Sequence, residues 1–185
     1  MPIAVVGLGN LLLGDEGVGI HAVRLLRERF ARPDVTYLDG GTLGLSLLPY
    51  LEEATRLLFL DAIRADAPPG TVLRVSLLDG PTRIPLKVSA HDIALPDLVA
   101  LLKLRRGEDL RTVELLGVVP ARIEPSTELS PTVQASLPDL VSWALRILRQ
   151  WGALDHQSRS VRGSGARSAF STAPRYDFSK GRSDE

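Results

Sequence analysis

Two rhythms of apolar and polar positions alternate along most of this chain. Ile3–Gly7 is short, apolar and β-branched, and a glycine-rich turn follows it; such a run reads as a buried strand. Between Glu16 and Phe30 the apolar residues Val18, Val23, Leu25, Leu26 and Phe30 recur with arginines between them. This is the pattern of an amphipathic helix, with Asp15 and Glu16 at its positive N-terminal end. Val35–Leu38 predicts a second strand ending at Asp39-Gly40-Gly41-Thr42, and Leu43–Glu53 a short helix. Arg56–Asp61 reads as strand three. After a turn at Ala67–Gly70, Thr71–Ser76 reads as strand four, and Asp79-Gly80-Pro81 breaks the chain again. Ala94–Leu104 is helical, with Pro96 near its start, where a fixed φ is tolerated. Thr112–Val119 is the longest β-like run and is expected to be central. Pro131–Trp151 is the last helix, with Leu137, Leu140, Val141, Ala144, Leu145 and Leu148 on one stripe.

Strands alternating with helices predict an α/β fold. The expected architecture is a three-layer α/β/α sandwich around a mainly parallel five-stranded twisted sheet. One domain is expected over residues 1–151. From about Gly152 to Glu185 the chain turns rich in Ser, Arg and Gly, with isolated Phe170, Tyr176 and Phe178 and no periodicity. Residues 152–185 are expected to be a disordered tail.

Composition narrows the function. The formal net charge is zero, which gives no electrostatic footprint for nucleic acid or a membrane surface. No apolar run reaches the roughly 18 residues of a membrane span. Met1-Pro2-Ile3-Ala4 lacks the basic start of a secretory signal, so a cytoplasmic address is expected; the expected oligomeric state is a monomer. Cysteine is absent, which removes disulfides, thiolate metal sites and a cysteine nucleophile.

The chemistry concentrates on Glu16, Asp61 and His91. Glu16 follows the first strand, Asp61 closes the third, and His91 stands in Val88-Ser89-Ala90-His91-Asp92 just before a helix. Ligands of open α/β sheets bind outside the carboxyl ends of the strands. Each residue also has an ordinary alternative: Glu16 as a helix-dipole partner, Asp61 as a cap, His91 as a solvated loop residue. Together they predict a shared metal or catalytic site on one rim. Two carboxylates and an imidazole suit Zn, Ni, Mn or Fe(II), with positions left open for water or substrate. As rim residues they are expected to be surface-like, so substitution should remove activity and keep the fold. Asp39 would sit on the same rim, as a functional group or in an Asx-turn. His21 reads as a surface residue of the first helix, and His156 lies in the tail.

Other site patterns fit less well. Gly7-x-Gly9 suggests a dinucleotide fingerprint, but Leu12 stands where the third glycine belongs. Asp15 and Glu16 would repel a phosphate at the helix N-terminus. There is no Walker phosphate loop and no His-Glu-x-x-His helix. Gly44-Leu45-Ser46-Leu47-Leu48 lacks the second glycine of a nucleophile elbow.

Five stretches in register resemble one family. They are Gly7-Leu8-Gly9-Asn10-Leu11-Leu12-Leu13-Gly14-Asp15-Glu16-Gly17-Val18-Gly19, Leu38-Asp39-Gly40-Gly41-Thr42, Asp61-Ala62, Ser89-Ala90-His91 and Gly117-Val118-Val119-Pro120. Glu124-Pro125 through Leu129-Ser130-Pro131-Thr132-Val133 fits as well. Over roughly residues 3–150 the chain resembles the [NiFe]-hydrogenase maturation endopeptidases. The resemblance implies cleavage of a C-terminal extension from the precursor of the [NiFe]-hydrogenase large subunit, after nickel insertion. It carries the family's metal-binding residues onto Glu16, Asp61 and His91, and the acid of the Asp-Gly-Gly turn onto Asp39. The nickel would come with the substrate. Such enzymes are often grouped with aspartic peptidases, yet this chain has no Asp-Thr-Gly pair. Metal-assisted attack by water is the expected chemistry, with a carboxylate general base as the alternative.

Overall fold

The computed structural model describes residues 2–78 and 94–153. Five strands form one sheet: β1 (Ile3–Leu8), β2 (Val35–Gly41), β3 (Arg56–Ala62), β4 (Val72–Ser76) and β5 (Thr112–Val118). Their order across the sheet is β2-β1-β3-β5-β4. All neighbours are parallel except the β4–β5 pair. The described helices are α1 (Val18–Phe30), the short α2 (Leu48–Leu51), α3 (Ala94–Arg106) and α4 (Pro131–Gln150). The α/β architecture and mainly parallel sheet match the sequence expectation. The middle strand is β3, however, and β5 lies between it and the antiparallel edge strand β4. Both are buried runs, and length of run does not determine strand order. Residues 154–185 of the expected tail, with His156, Phe170, Tyr176 and Phe178, lie outside the described residues, as does His91; Ala153 is buried in the core.

Each face of the sheet carries its own core. Val5, Leu58 and Leu60 pack with Val23 and Leu26 of α1 and with Leu140, Ala144 and Leu148 of α4. On the other face Val6, Leu57, Phe59 and Leu115 pack with Leu51 of α2 and with Leu98 and Leu102 of α3. Side chains alternate across a strand, so consecutive residues feed opposite layers. The stripe expected on α4 is buried along Leu140, Val141, Ala144, Leu145 and Leu148, with Leu137 at its margin. The stripe on α1 is shifted around the helix from the one expected. Ile20 and Ala22 are buried with Val18, Val23 and Leu26, while Leu25 is only partly buried and Phe30 is exposed.

The parallel strands all point their carboxyl ends to one rim. Helix α4 runs back from that rim. It begins at Ser130, whose hydroxyl caps the helix by accepting from the Val133 N–H at 3.3 Å. It ends where Arg56, at the opposite end of β3, donates from Nη1 to the Trp151 carbonyl at 2.7 Å.

Candidate functional site

Glu16 sits in a tight 3-10 turn, Gly14–Gly17, between β1 and α1. Two glycines bring that turn against the sheet. Gly9 has φ +121°, and a Cβ there would lie 1.8 Å from the Glu16 carbonyl oxygen, so only glycine fits. Gly19, in the first turn of α1, packs backbone to backbone on the end of β3. A Cβ on it would lie 2.1 Å from the Leu60 carbonyl oxygen and 2.5 Å from that of Leu8. Three residues before Gly19 stands Glu16; one residue after Leu60 stands Asp61. The close helix–strand contact therefore brings these two acids to the same stretch of the rim.

Both acids are buried rather than surface-like, with 5% of Glu16 and 3% of Asp61 exposed. Among the described residues no donor reaches Glu16 Oε2. A buried, ionised oxygen left without a partner is costly. A cation arriving from outside would relieve that cost, so the residue fits a metal-binding role. Asp61 Oδ1 accepts from the Ala62 N–H at 2.8 Å, which fixes its carboxylate.

Asp39 is placed differently. In register it pairs with Gly7, which pairs with Leu60 on the other side. Asp39 and Asp61 thus end at nearly the same level, two strand spacings apart, or about 10 Å. Their side chains leave opposite faces. Asp39 turns to α1, where Arg24 holds its Oδ2 with Nη2 at 2.7 Å and Nε at 3.1 Å. Asp61 lies in phase with Leu57, Phe59 and Ile63, on the α2/α3 face. The backbone thus sets Glu16 and Asp61 beside the same end of β3, while Asp39 ends β2 two strands away. His21 is half-buried on α1 rather than a surface residue; burial, and then the charge of Arg24, hold its pKa below the ordinary 6.5.

Asp15 is the residue whose importance the sequence reading missed. It is fully buried. Its Oδ2 accepts from the N–H groups of Ala121 (2.9 Å) and Arg122 (3.0 Å) and from the Ser130 hydroxyl (2.8 Å). Its Oδ1 accepts from the Ser130 N–H at 2.6 Å. One carboxylate thus pins the whole β5–α4 connection to the turn that carries Glu16. Backbone pairing closes the seam further: Gly14 N–H donates to Ser126 O at 2.7 Å, and Ser126 N–H to Leu12 O at 3.0 Å. The Ser130-Pro131 pair was a legible helix start, but its partner lies 115 residues away. Two buried carboxylates at the start of α1 also argue against a pyrophosphate there.

The chain and its fold are similar to known proteins. Residues 20–147, more than half of the chain, match the family model described as hydrogenase maturation protease. The chain is 36% identical over 154 residues to the hydrogenase 2 maturation protease of Escherichia coli K12, covering 82% of this chain and 93% of that one. It is 37% identical over 153 residues to the hydrogenase expression/formation protein HupD of Rhodobacter capsulatus, covering 81% and 72%. Among solved structures, the hydrogenase maturating endopeptidase HybD from E. coli superposes with a TM-score of 0.72 at 33% identity, over 82% of this chain and 94% of that one. With the fold and the sequence both matching, the chain belongs to the hydrogenase maturation protease family.

Proposed function

We propose that this peptidase removes the C-terminal extension of the [NiFe]-hydrogenase large-subunit precursor, and does so only after nickel has been inserted. In this reading Glu16 and Asp61, with His91 from outside the described residues, hold the substrate's nickel at the rim. The observation that carries the reading is the buried Glu16 Oε2, which no donor among the described residues reaches. It is a carboxylate oxygen kept in waiting for a cation. Two carboxylates and an imidazole bind nickel without the thiolates that would compete to remove it from the substrate. Bound there, nickel supplies Lewis acidity at the scissile carbonyl. A rim carboxylate takes a proton from the attacking water and passes it to the leaving amine. Asp39, turned to Arg24, orders the β2 side of the rim.

The test is a cleavage assay on purified protein. Nickel-loaded and nickel-free precursors are each incubated with it, and the large subunit is weighed by mass spectrometry. Loss of the extension in the loaded sample alone is expected. Equal cleavage of both precursors would overturn the nickel requirement, and cleavage of neither would overturn the substrate.

A further inference from the structure

Past the ends of β3 and β5 the rim opens into a cleft of about 690 Å3. One wall is the segment after β3, between Arg64 and Pro69; the other runs from Val119 to Ile123. The size falls within the roughly 300–1,000 Å3 of sites that enclose small ligands. Both walls grow out of the acids described above. Arg64 follows Asp61 by three residues. Ala121 and Arg122 are the residues whose N–H groups Asp15, next to Glu16, holds in place. The walls are also tied to each other: Ile63 N–H donates to Val118 O at 2.9 Å, and Gly70 N–H to Val119 O at 2.7 Å. A preformed groove thus leads away from the acids.

Its charge is one-sided. Among the described residues, alanine and proline line most of it, and the two ionised lining residues are Arg64 and Arg122. The neighbouring acids Asp66 and Glu124 do not line it. Arg122 pairs with Glu124 at 3.0 Å, but about half of each side chain is exposed, 47% and 53%. An ion pair so open to water is weak and readily exchanged. Arg64 is exposed and makes no ion pair among the described residues. Guanidinium groups facing a small-residue groove match a carboxylate, which they bind through paired N–H donors.

We propose that this cleft is the subsite for the substrate's C-terminal extension, and that Arg64 and Arg122 select extensions bearing a carboxylate. The proposal rests on the function given above. The carboxylate has two sources, an acidic side chain or the chain terminus, and the substrates separate them.

The experiment measures steady-state cleavage of a nickel-loaded precursor whose extension carries an acidic residue. The wild-type enzyme is compared with R64Q/R122Q and R64K/R122K. The glutamine variant is expected to raise KM about tenfold, with kcat changed by less than about twofold, because uniform binding is lost and not chemistry. The lysine variant, which keeps the charge, is expected to recover part of that loss. On a precursor with the acidic side chain made an amide, wild type should show the same rise and the glutamine variant no further rise. If adding several glycines after the terminus produces that pattern instead, the α-carboxylate is the group read. An unchanged KM for R64Q/R122Q, or a rise of equal size on all three precursors, overturns the inference and leaves the peptidase assignment standing. If wild type does not shorten the acidic-extension precursor, the proposed function itself fails, and the subsite with it.

Discussion

Replacing Asp15 with alanine should unfold the rim from beneath. The side chain is fully buried and accepts four hydrogen bonds, so its removal orphans four donors at once. The Ser130 N–H is buried, and leaving it without an acceptor costs about 1–3 kcal/mol. The Ala121 and Arg122 N–H groups are only partly buried and can turn to water, for about 0.5–1 kcal/mol each. The Ser130 hydroxyl can rotate, and it loses little. The sum is about 2–5 kcal/mol, a large share of the roughly 5–15 kcal/mol that holds a typical domain folded. Melting by circular dichroism should drop on the order of 10 °C. Asp15→Asn keeps the volume but turns an NH2 group toward donors, so it should lose at least about 2 kcal/mol of the same stability. A melting temperature for Asp15→Ala within about 2 °C of wild type would refute the idea that this carboxylate organises the rim.

Other substitutions separate function from stability. Glu16→Gln removes a buried charge while keeping its shape, so stability should hold or rise by up to about 1 kcal/mol while precursor cleavage is lost; retained cleavage would exclude Glu16 from the machinery. Asp61→Asn keeps the acceptor for the Ala62 N–H, and is likewise expected to melt near wild type and fail to process the precursor. Gly19→Ala drives a methyl group into two backbone carbonyls and should cost at least about 2 kcal/mol in urea denaturation; an unchanged midpoint would show that α1 can shift. His21 is held neutral by burial, so the unfolded chain takes up its proton more readily than the fold does. Its contribution is fully present above the unfolded pKa of 6.5 and is lost as pH falls through that value, levelling off below the folded pKa. His21→Asn should flatten this part of the stability–pH curve; an unchanged curve would assign it to other groups.

What could be read before folding follows from the range of the physics involved. Strands and helices declare themselves within a window of ten or so residues, and Ile3–Gly7, Arg56–Asp61 and the α4 stripe emerge within a residue or two of expectation. Strand order is not local: Leu57–Leu60 and Val113–Leu116 are both buried runs, the second even with Glu114 inside it, and nothing in either run says which is the middle. The place of Glu16 and Asp61 on the strand-end rim was legible because one follows a parallel strand and the other closes one. Their burial was not, because it depends on Gly19 meeting Leu60. Asp39 was correctly set on the rim, but strand alternation sends its side chain to the opposite face, where Arg24, fifteen residues earlier, pairs with it. Asp15 looked like a helix-dipole partner; its actual partners arrive from 106 to 115 residues away.

The course of α4 has a practical consequence for handling the protein. The helix leaves Ser130 at the acid-bearing rim and runs for 20 residues before Arg56 holds the Trp151 carbonyl at the opposite pole. At 1.5 Å per residue that is a rod of about 30 Å. A linker joined at Ala153 and fixed to a bead or a sensor chip would therefore present the opposite pole to the solid support. The rim would face the liquid, open to a folded protein as large as a precursor subunit.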